Sequence, residues 1–368
     1  MVTSLLDNTE KIRAVDKSGM LNFCVNASKH YREAMELAQK IKAKYPKPDN
    51  IIVVGMGGSG IGGDLLKDWA KNKIDVPIEV NRDYSLPEYA GKKTLVIIMS
   101  YSGDTEESLS AFLDALERDC MIYCVSSGGA LLKYAQKLRL PYLQVPGGMP
   151  PRAALPYLLV PLLVYMEKTG LALGVTEELN ETVKLLEKIS RENQPDYPTA
   201  DNFAKTLAQQ INETILTVYG FGVYRSVAQR FKQQINENSK FPAKWEYFSE
   251  LNHNEIVGWE NRGKLIKYFS IIFIRDIDEP KEMKSRIETT KQIMEKAGLI
   301  MYDLQVQGKS TLAKMLSTVL VGDFVSVYLA VLNGIDPTPV KNISYLKDKL
   351  KEDGIKERII AELDALKR

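Results

Sequence analysis

A glycine-rich turn directly after a run of β-branched residues is the feature that most constrains the fold of this chain. Residues 51–63 read IIVVGMGGSGIGG, and an amphipathic run, Asp64–Ala70, follows them. A buried strand that ends in glycines and continues into a helix is how α/β proteins present backbone N–H groups to an anion. Gly57, Gly58 and Ser59 are therefore the first candidate ligand-binding residues.

Apolar strands alternate with amphipathic helices on both sides of this turn. In the first half the pattern predicts strands at 51–54, 76–80, 94–99, 120–125 and 142–145. The second half repeats it less regularly, with strands predicted at 215–222, 267–274 and 300–306. Such alternation is typical of parallel sheets covered by helices on both faces. The prediction is an internally duplicated α/β chain with two doubly wound parallel sheets.

Domain boundaries follow from proline-containing polar stretches. We predict an N-terminal helical segment at 1–48, a first domain at 49–195 and a second at 196–368 that ends in helices 339–349 and 354–366. The charged run 177–193 is predicted to be a solvated helical connection. In the polar stretch 233–258, Glu237 is predicted to end the helix that begins at Ser226, and an irregular segment rich in Asn is predicted to follow around His253.

Composition excludes several classes of partner. Lys and Arg number 49 against 47 Asp and Glu, so the formal charge of +2 does not favour nucleic acid. Three cysteines without metal-ligand spacing predict no metal site and a reducing, cytoplasmic location. The longest apolar run expected is 155–165, which is too short to span a membrane and carries two prolines.

A second informative stretch, SYSGDTEES at 100–108, lies where the strand 94–99 ends and a helix begins. Hydroxyls of Ser100, Ser102 and Thr105 together with helix N-terminal N–H groups suit a phosphate monoester. The alternative is that these hydroxyls only cap the helix. A nucleotide P-loop is not favoured, because no lysine follows the first glycine turn at the required spacing.

Two further candidates come from charged residues. Arg152 stands in a stretch rich in Pro and Gly that could aim its guanidinium into a cleft, although residue type alone favours a surface arginine. The stretch 233–258 combines carboxylates with His253, as proton transfer beside a carbonyl requires. By residue type alone Glu237 is no better a base than the other carboxylates of this stretch, Glu246, Glu250 and Glu255. His30 is predicted to be a surface residue.

These residues carry a family resemblance. GMGGSGIGGDLL followed by SYSGDTEE resembles the sugar isomerase (SIS) fold, which binds phosphorylated sugars. NENSKFPAKWEYFSELNHNEIVGW and GDFVSVYLAVLNGIDPTPVKNISYLK resemble one branch of it, the bifunctional phosphoglucose/phosphomannose isomerases. The resemblance covers nearly all of 51–347. It implies two SIS subdomains in tandem and interconversion of glucose 6-phosphate or mannose 6-phosphate with fructose 6-phosphate, without a cofactor.

The resemblance also implies roles for individual residues. Glu237 matches the base that moves a proton between C2 and C1 through a cis-enediolate, and Arg152 matches the cation beside the developing oxyanion. His253 matches a residue that assists ring opening from the other subunit of a homodimer. The phosphate cradle matches Gly57, Gly58, Ser59, Ser100, Ser102 and Thr105.

The C-terminal part of the match is less well determined. A lysine that assists ring opening matches Lys347, with Lys341 as the alternative. Thr338 lies near the position of a family threonine that helps to admit mannose 6-phosphate, but its register differs from that of the family motif. The resemblance therefore supports glucose 6-phosphate as a substrate more strongly than mannose 6-phosphate.

Two other functions compete with this interpretation. A non-catalytic sugar-phosphate-binding SIS protein would keep the cradle without the base and the histidine. A dinucleotide-dependent oxidoreductase would need an acidic residue at the end of the next strand, where Asn81-Arg82-Asp83 is a poor match. Isomerisation itself requires neither a redox cofactor nor a metal ion.

Overall fold

The computed structural model describes residues 5–42, 45–260 and 263–366. The N-terminal segment is helical as predicted within its described part, while residues 1–4 and 43–44 of that prediction lie outside it. Its three helices are α1 (Thr9–Val15), α2 (Met20–Val25) and α3 (Ala27–Ala38). Asn8 caps α1 because its side chain accepts a hydrogen bond from the N–H of Lys11 at 2.9 Å.

A parallel sheet forms the first half. Within the described residues it has five strands in the order β2-β1-β3-β4-β5. The strands are β1 (Asn50–Val54), β2 (Ile78–Asn81), β3 (Thr94–Met99), β4 (Met121–Ser126) and β5 (Tyr142–Gln144). The helices that follow are α4 (Gly57–Ala70), α5 (Glu106–Glu117), α6 (Gly129–Lys137) and α7 (Leu155–Lys168). The central strands β1 and β3 are almost wholly buried, as their continuous apolar sequences require.

A second parallel sheet repeats this topology. Its described strands have the order β7-β6-β8-β9. They are β6 (Ile215–Phe221), β7 (Ala243–Phe248), β8 (Phe269–Arg275) and β9 (Ile300–Gln305). The helices that accompany it are α8 (Val175–Asn193), α9 (Phe203–Gln210), α10 (Arg225–Gln234), α11 (Lys281–Ala297) and α12 (Thr311–Leu332). Two further helices follow in the chain, α13 (Lys341–Leu350) and α14 (Ile355–Ala365). The order 2-1-3-4 in both sheets confirms the predicted duplication of a doubly wound fold.

The compact units of the structure are assembled from separate stretches of chain. The described residues of Met1–Ser28 and Glu178–Pro339 form one unit, and those of Lys29–Glu177 and Val340–Arg368 form the other. The last helix, α14, buries Ile359 and Leu363 in the hydrophobic core around β3 and β4. The described C-terminal residues 340–366, predicted as part of the second domain, therefore belong with the first sheet.

Several local predictions are wrong. The helix expected from Asp64 begins seven residues earlier, at Gly57, because the glycine turn itself is the first turn of α4. No strand is predicted in the polar stretch 233–258, yet it contains β7, whose sequence AKWEYF lacks a continuous apolar run. The run 177–193 is not a solvated connection, since α8 is amphipathic and buries Leu179, Leu186 and Ile189.

The longest apolar helix is α12 rather than the run 155–165. By length and composition it could cross a membrane, but 89% of its most apolar window is buried inside the fold. It packs against α9 and α10. Its two charged residues are paired: Lys314 Nζ lies 2.9 Å from Asp276 Oδ1, and Asp323 Oδ2 lies 3.1 Å from Arg230 Nη2. These features are those of the core helix of a globular unit.

Candidate active site

The two predicted ligand-binding turns lie side by side. β1 is flanked by β2 on one side and β3 on the other, so the chain leaves the carboxyl ends of β1 and β3 in opposite directions. Open α/β sheets bind ligands in the crevice at such a switch point. A hydrogen bond joins the turns, because the Tyr101 N–H donates to Ser59 Oγ at 3.2 Å. The structure thus brings together the glycine turn 55–60 and the serine-rich loop 100–105.

Hydroxyl groups build the interior of the serine-rich loop. Ser100 Oγ donates to Thr105 Oγ1 at 3.0 Å and accepts from the N–H of Gly103 at 3.1 Å. Thr105 occupies the N-cap position of α5, yet its side chain makes no capping hydrogen bond. Ser102 is exposed and its Oγ accepts from the N–H of Asp104 at 3.3 Å. The interpretation that these hydroxyls only cap the helix is therefore wrong for Thr105.

Glycines make the close approaches that this crevice needs. Gly57 has a φ of +51°, and a Cβ on it would meet no heavy atom of the described residues within 4 Å. A Cβ on Gly58 would lie 2.7 Å from the carbonyl oxygen of Pro151 and 3.1 Å from the nitrogen of Arg152. A Cβ on Gly103 would lie 1.8 Å from the carbonyl oxygen of Gly128. At Gly58 and Gly103, backbone thus packs directly on backbone, and any side chain would collide.

Arg152 belongs to this cluster through its backbone, which packs on the first turn of α4. Only 2% of the residue is exposed, so the alternative of a surface arginine is wrong. It lies in a 3₁₀ turn, Pro151–Ala153, and Pro151 together with the preceding Pro150 restricts the backbone. The preceding loop is also held in place, since the hydroxyl of Tyr101 donates to the carbonyl of Pro146 at 2.9 Å and accepts from the N–H of Met149 at 3.1 Å. Burial raises the pKa of Tyr101, which keeps this hydroxyl neutral.

Glu237 lies in a single turn of π-helix, Ile235–Ser239, that extends α10. The turn is anchored on α12, because Asn238 Nδ2 donates to Ser326 Oγ at 2.9 Å and Ser239 Oγ donates to the Ser326 carbonyl at 2.6 Å. Glu237 itself is half-buried. One-turn π-helices inserted in α-helices occur frequently at functional sites.

The other carboxylates of the segment occupy different settings. Glu255 accepts hydrogen bonds from the hydroxyl of Tyr219 and from Lys244 Nζ, each at 3.1 Å. Glu250 is exposed and accepts from Asn254 Nδ2 at 2.8 Å. Burial and the nearby charge of Glu255 raise the pKa of Glu246. Local structure therefore separates Glu237, on its π-turn, from carboxylates that residue type could not distinguish.

His253 and the C-terminal candidates are more exposed. His253 ends a 3₁₀ turn, Glu250–His253, and is exposed on this chain. Thr338 is half-buried in a turn where its N–H donates to Asp336 Oδ1 at 3.0 Å. Lys341 and Lys347 are both exposed on α13. Six residues separate them, so they project about 120° apart around the helix axis and only one can face a given site.

The predicted site residues divide between the two compact units. Gly57, Gly58, Ser59, Ser100, Ser102, Thr105 and Arg152 lie in one unit, together with Lys341 and Lys347. Glu237, His253 and Thr338 lie in the other. Within the first unit, the cradle residues and the Arg152 turn meet at the switch point.

Sequence reasoning missed one contributor and misplaced one residue. Tyr101, between two predicted phosphate ligands, was passed over although its backbone and hydroxyl join three loops of the site. His30 is not a surface residue: 15% of its side chain is exposed, and its Nδ1 lies 3.1 Å from the hydroxyl of Tyr157.

Comparison with known proteins agrees with this fold. Residues 200–350 match the model of the bacterial phospho-glucose isomerase C-terminal SIS domain. A solved structure, a glucose-6-phosphate isomerase like protein from Thermus thermophilus, superposes with a TM-score of 0.62 at 18% identity, covering 91% of this chain and 98% of that one. The fold and the switch-point crevice thus define a protein of the sugar isomerase (SIS) class.

Two curated relatives identify the family within this class. The chain is 40% identical over 336 residues to the bifunctional phosphoglucose/phosphomannose isomerase of Caldicellulosiruptor bescii, covering 90% of this chain and 99% of that protein. It is 36% identical to the protein of the same name from Aquifex aeolicus, covering 82% and 90% of the two chains. The chain belongs to the bifunctional phosphoglucose/phosphomannose isomerase family.

Proposed function

We propose that this protein interconverts glucose 6-phosphate and mannose 6-phosphate with fructose 6-phosphate, with Glu237 as the base. The observation that carries the binding half of the proposal is the joining of two hydroxyl-bearing turns at the β1/β3 switch point through Tyr101 and Ser59. The catalytic half rests on membership of the family.

The cradle would hold the phosphate by its backbone and its hydroxyls. α4 and α5 both begin at the crevice, and the N-terminus of a helix carries a partial positive charge. Hydroxyl groups can turn their hydrogens toward phosphate oxygens, which mostly accept. Because the phosphate is remote from C1 and C2, its binding energy can be used to position the reacting carbons.

Proton transfer would follow at the other end of the open-chain sugar. The Glu237 carboxylate removes the proton from C2 of the aldose, the C–H electron pair forms a C1–C2 double bond, and the carbonyl pair moves onto O1. Return of the proton to C1, with transfer of the hydroxyl proton from O2 to O1, gives the ketose. All electrons stay within the substrate. The guanidinium of Arg152 would stabilise the negative charge that develops on oxygen.

Ring opening would be assisted by His253 and by a lysine of α13. The exposure of His253 is compatible with donation to the active site of a second subunit, and we therefore propose a homodimer. Lys347 is preferred over Lys341 because of its match to the family motif. The half-buried turn that carries Thr338 is the proposed determinant of mannose 6-phosphate use. We propose a cytoplasmic location.

A discontinuous assay tests the proposal. The protein is incubated with fructose 6-phosphate and a chelator in the absence of nicotinamide, the reaction is quenched, and glucose 6-phosphate and mannose 6-phosphate are measured separately. We expect both products to form without nicotinamide and in the presence of the chelator. Binding of fructose 6-phosphate without any product would instead identify a non-catalytic sugar-phosphate-binding protein.

A further inference from the structure

Lys240 ends the π-turn that carries Glu237 in an unusual backbone conformation. It follows Ser239 directly, and its φ of 62° and ψ of 23° lie in the left-handed region. Glycine or asparagine usually occupies this position after a helix, because a Cβ is disfavoured there. Asp119, Arg139 and Glu213 also have a positive φ, so the contacts of the Lys240 side chain decide whether it has a particular role.

The side chain of Lys240 folds back onto two separate segments. Its Nζ donates a hydrogen bond to the carbonyl oxygen of Glu237 and another, at 2.8 Å, to the carbonyl oxygen of Pro337. The carbonyl of Asn238 is a weaker neighbour at 3.5 Å. The ammonium group therefore joins the backbone of Glu237 to the turn 336–338. All of these residues belong to the same compact unit.

We propose that Lys240 is a positioning residue, which fixes the position of the Glu237 backbone relative to the turn that carries Thr338. This inference rests on the proposed function, since it assigns Glu237 to proton transfer and Thr338 to the choice of substrate. Lys240 bonds to backbone carbonyls on both sides, so it acts through these residues. Hydrogen bonds from a charged donor are about twice as strong as neutral ones, which suits a strut between two segments.

A purely structural role is the competing explanation. Lysine side chains can cap the last carbonyls of a helix and stabilise it without any bearing on catalysis. Glycine at 240 separates the two explanations. It removes the amine, and it also relieves the left-handed backbone that lysine has to adopt. A cap that serves only stability would be partly compensated by this relief, whereas a strut to the turn 336–338 would be lost.

The experiment compares wild type with Lys240→Met, Lys240→Arg and Lys240→Gly. Lys168→Met is the matched control, because Lys168 Nζ also bonds to two backbone carbonyls, those of Gln39 at 2.5 Å and Ile41 at 3.2 Å, away from the candidate residues. The measurements are kcat and KM for fructose 6-phosphate, the initial ratio of glucose 6-phosphate to mannose 6-phosphate formed, and Tm.

We expect Lys240→Met and Lys240→Gly to lower kcat about tenfold or more while KM changes less than about threefold, because a misplaced base slows the chemical step. The product ratio should shift in both variants, which loss of stability alone would not cause. Lys240→Arg should recover most of kcat, since arginine also donates to two carbonyls. Lys168→Met should keep the wild-type kcat and product ratio.

The opposite results overturn the inference. The inference is wrong if Lys240→Met keeps the wild-type kcat and product ratio, or if Lys240→Gly recovers both fully. Lys240 would then only cap the helix. If wild type forms a single product, the change in kcat decides alone. A wild type that binds fructose 6-phosphate and never isomerises it would refute the proposed function, and this inference with it, whereas an active wild type with an unaffected Lys240→Met refutes only the inference.

Discussion

At the scale of single residues, two hydroxyls of the crevice have two tasks. Ser59 Oγ accepts the Tyr101 N–H, which joins the two turns, and Thr105 Oγ1 accepts from Ser100 Oγ, which stabilises the serine-rich loop internally. A hydroxyl that accepts one hydrogen bond still has a hydrogen to donate, and a phosphate oxygen can accept it. Ligand binding and loop architecture are therefore coupled at this site.

Ser59→Ala and Thr105→Ala are expected to raise KM for fructose 6-phosphate about three- to tenfold each, with a smaller decrease in kcat. Ser59→Ala should also lower the free energy of unfolding by about 1–3 kcal/mol, because it leaves the buried Tyr101 N–H without its acceptor. Steady-state kinetics and urea unfolding measure the two effects. Thr169→Ala, which removes a hydroxyl bonded to the Tyr165 carbonyl, is the control and should leave KM unchanged. A fall in kcat with constant KM would remove Ser59 and Thr105 from the cradle.

Prediction from sequence reached different depths at this scale. Residue types and strand ends selected Ser59, Ser100 and Thr105 as candidates, because helix N-termini and hydroxyls have local signatures, and the structure brings their two turns together. They could not show that Arg152 is buried, since burial depends on the packing of its turn on Gly58. Nor could they separate Glu237 from Glu250, since the hydrophobic pattern does not reveal the π-turn that carries Glu237.

At the scale of elements, the two sheets share a glycine signature. β1 runs into Gly55-Met56-Gly57, and β6 runs into Gly220-Phe221-Gly222. The second glycine of each pair has a similar positive φ, +51° at Gly57 and +50° at Gly222. A Cβ on either would meet no described heavy atom within 4 Å. The duplication thus extends from strand order to backbone conformation at the turn.

Gly57→Ala and Gly103→Ala form a matched pair. Alanine at 57 has space but must adopt a left-handed conformation, which costs about 1–2 kcal/mol. Alanine at 103 adds a Cβ placed 1.8 Å from the Gly128 carbonyl oxygen, so the loops must separate. We expect Gly103→Ala to lower Tm clearly more than Gly57→Ala, which should mainly raise KM. Equal losses of Tm, measured by calorimetry, would contradict this packing of the loops.

The equivalent crevice of the second sheet is occupied by an ion cluster instead of an anion cradle. β8 ends before Asp276, which accepts hydrogen bonds from the hydroxyl of Tyr224 and from Lys314 Nζ. Lys314 Nζ also lies 2.6 Å from Asp278 Oδ2. Carboxylates at this position would repel a phosphate, so the two halves of the duplication have diverged in charge.

Lys314→Met should lower the free energy of unfolding by about 3–5 kcal/mol, because it leaves the largely buried Asp276 carboxylate without its cation.

Burial alone would raise the pKa of Asp276, but hydrogen bonds from Tyr224 and Lys314 outweigh it and lower the pKa below its ordinary value. A lowered pKa contributes stability that is present at neutral pH and lost as the pH falls through the folded-state value. The difference in stability between wild type and Asp276→Asn should therefore shrink below about pH 4. A difference independent of pH would contradict the pairing.

Strand positions were largely predictable because continuous apolar runs such as 94–99 end at clear turn residues, and that strand matches β3 at both ends. β7 was missed because AKWEYF mixes charged and aromatic residues. Strand order was not predictable from periodicity, which identifies strands without identifying their neighbours.

At the scale of the whole molecule, the chain forms its two units from exchanged segments. The N-terminal helices α1 and α2 belong to the unit of the second sheet, and α13 and α14 to the unit of the first. Domain boundaries predicted along the sequence could not reveal this exchange of terminal helices, because the apolar face of α14 gives no indication of which sheet it will cover. The duplicated topology, in contrast, followed from the alternation of strands and helices in each half.

The proposed donation of His253 across a dimer has a direct test by complementation. Glu237→Gln and His253→Ala proteins are each assayed with cyclic glucose 6-phosphate, then mixed under subunit-exchange conditions. If His253 acts in the partner's site, each heterodimer has one intact site, and random exchange should restore about a quarter of the wild-type activity. Action of His253 within its own subunit would give no restoration. Native mass spectrometry of wild type mixed with isotope-labelled wild type under the same conditions controls for the efficiency of exchange.

The measurement that tests the central claim most directly is isomerisation of glucose 6-phosphate in D2O by wild type, Glu237→Gln and Glu250→Gln. Proton transfer through an enediolate predicts that wild type incorporates deuterium at C1 of fructose 6-phosphate, detected by NMR. Glu250→Gln should do the same, whereas Glu237→Gln should lose about 10²–10⁴-fold in rate while still binding the substrate. Near-normal turnover and deuterium incorporation by Glu237→Gln would contradict the account, since the base would then be another residue.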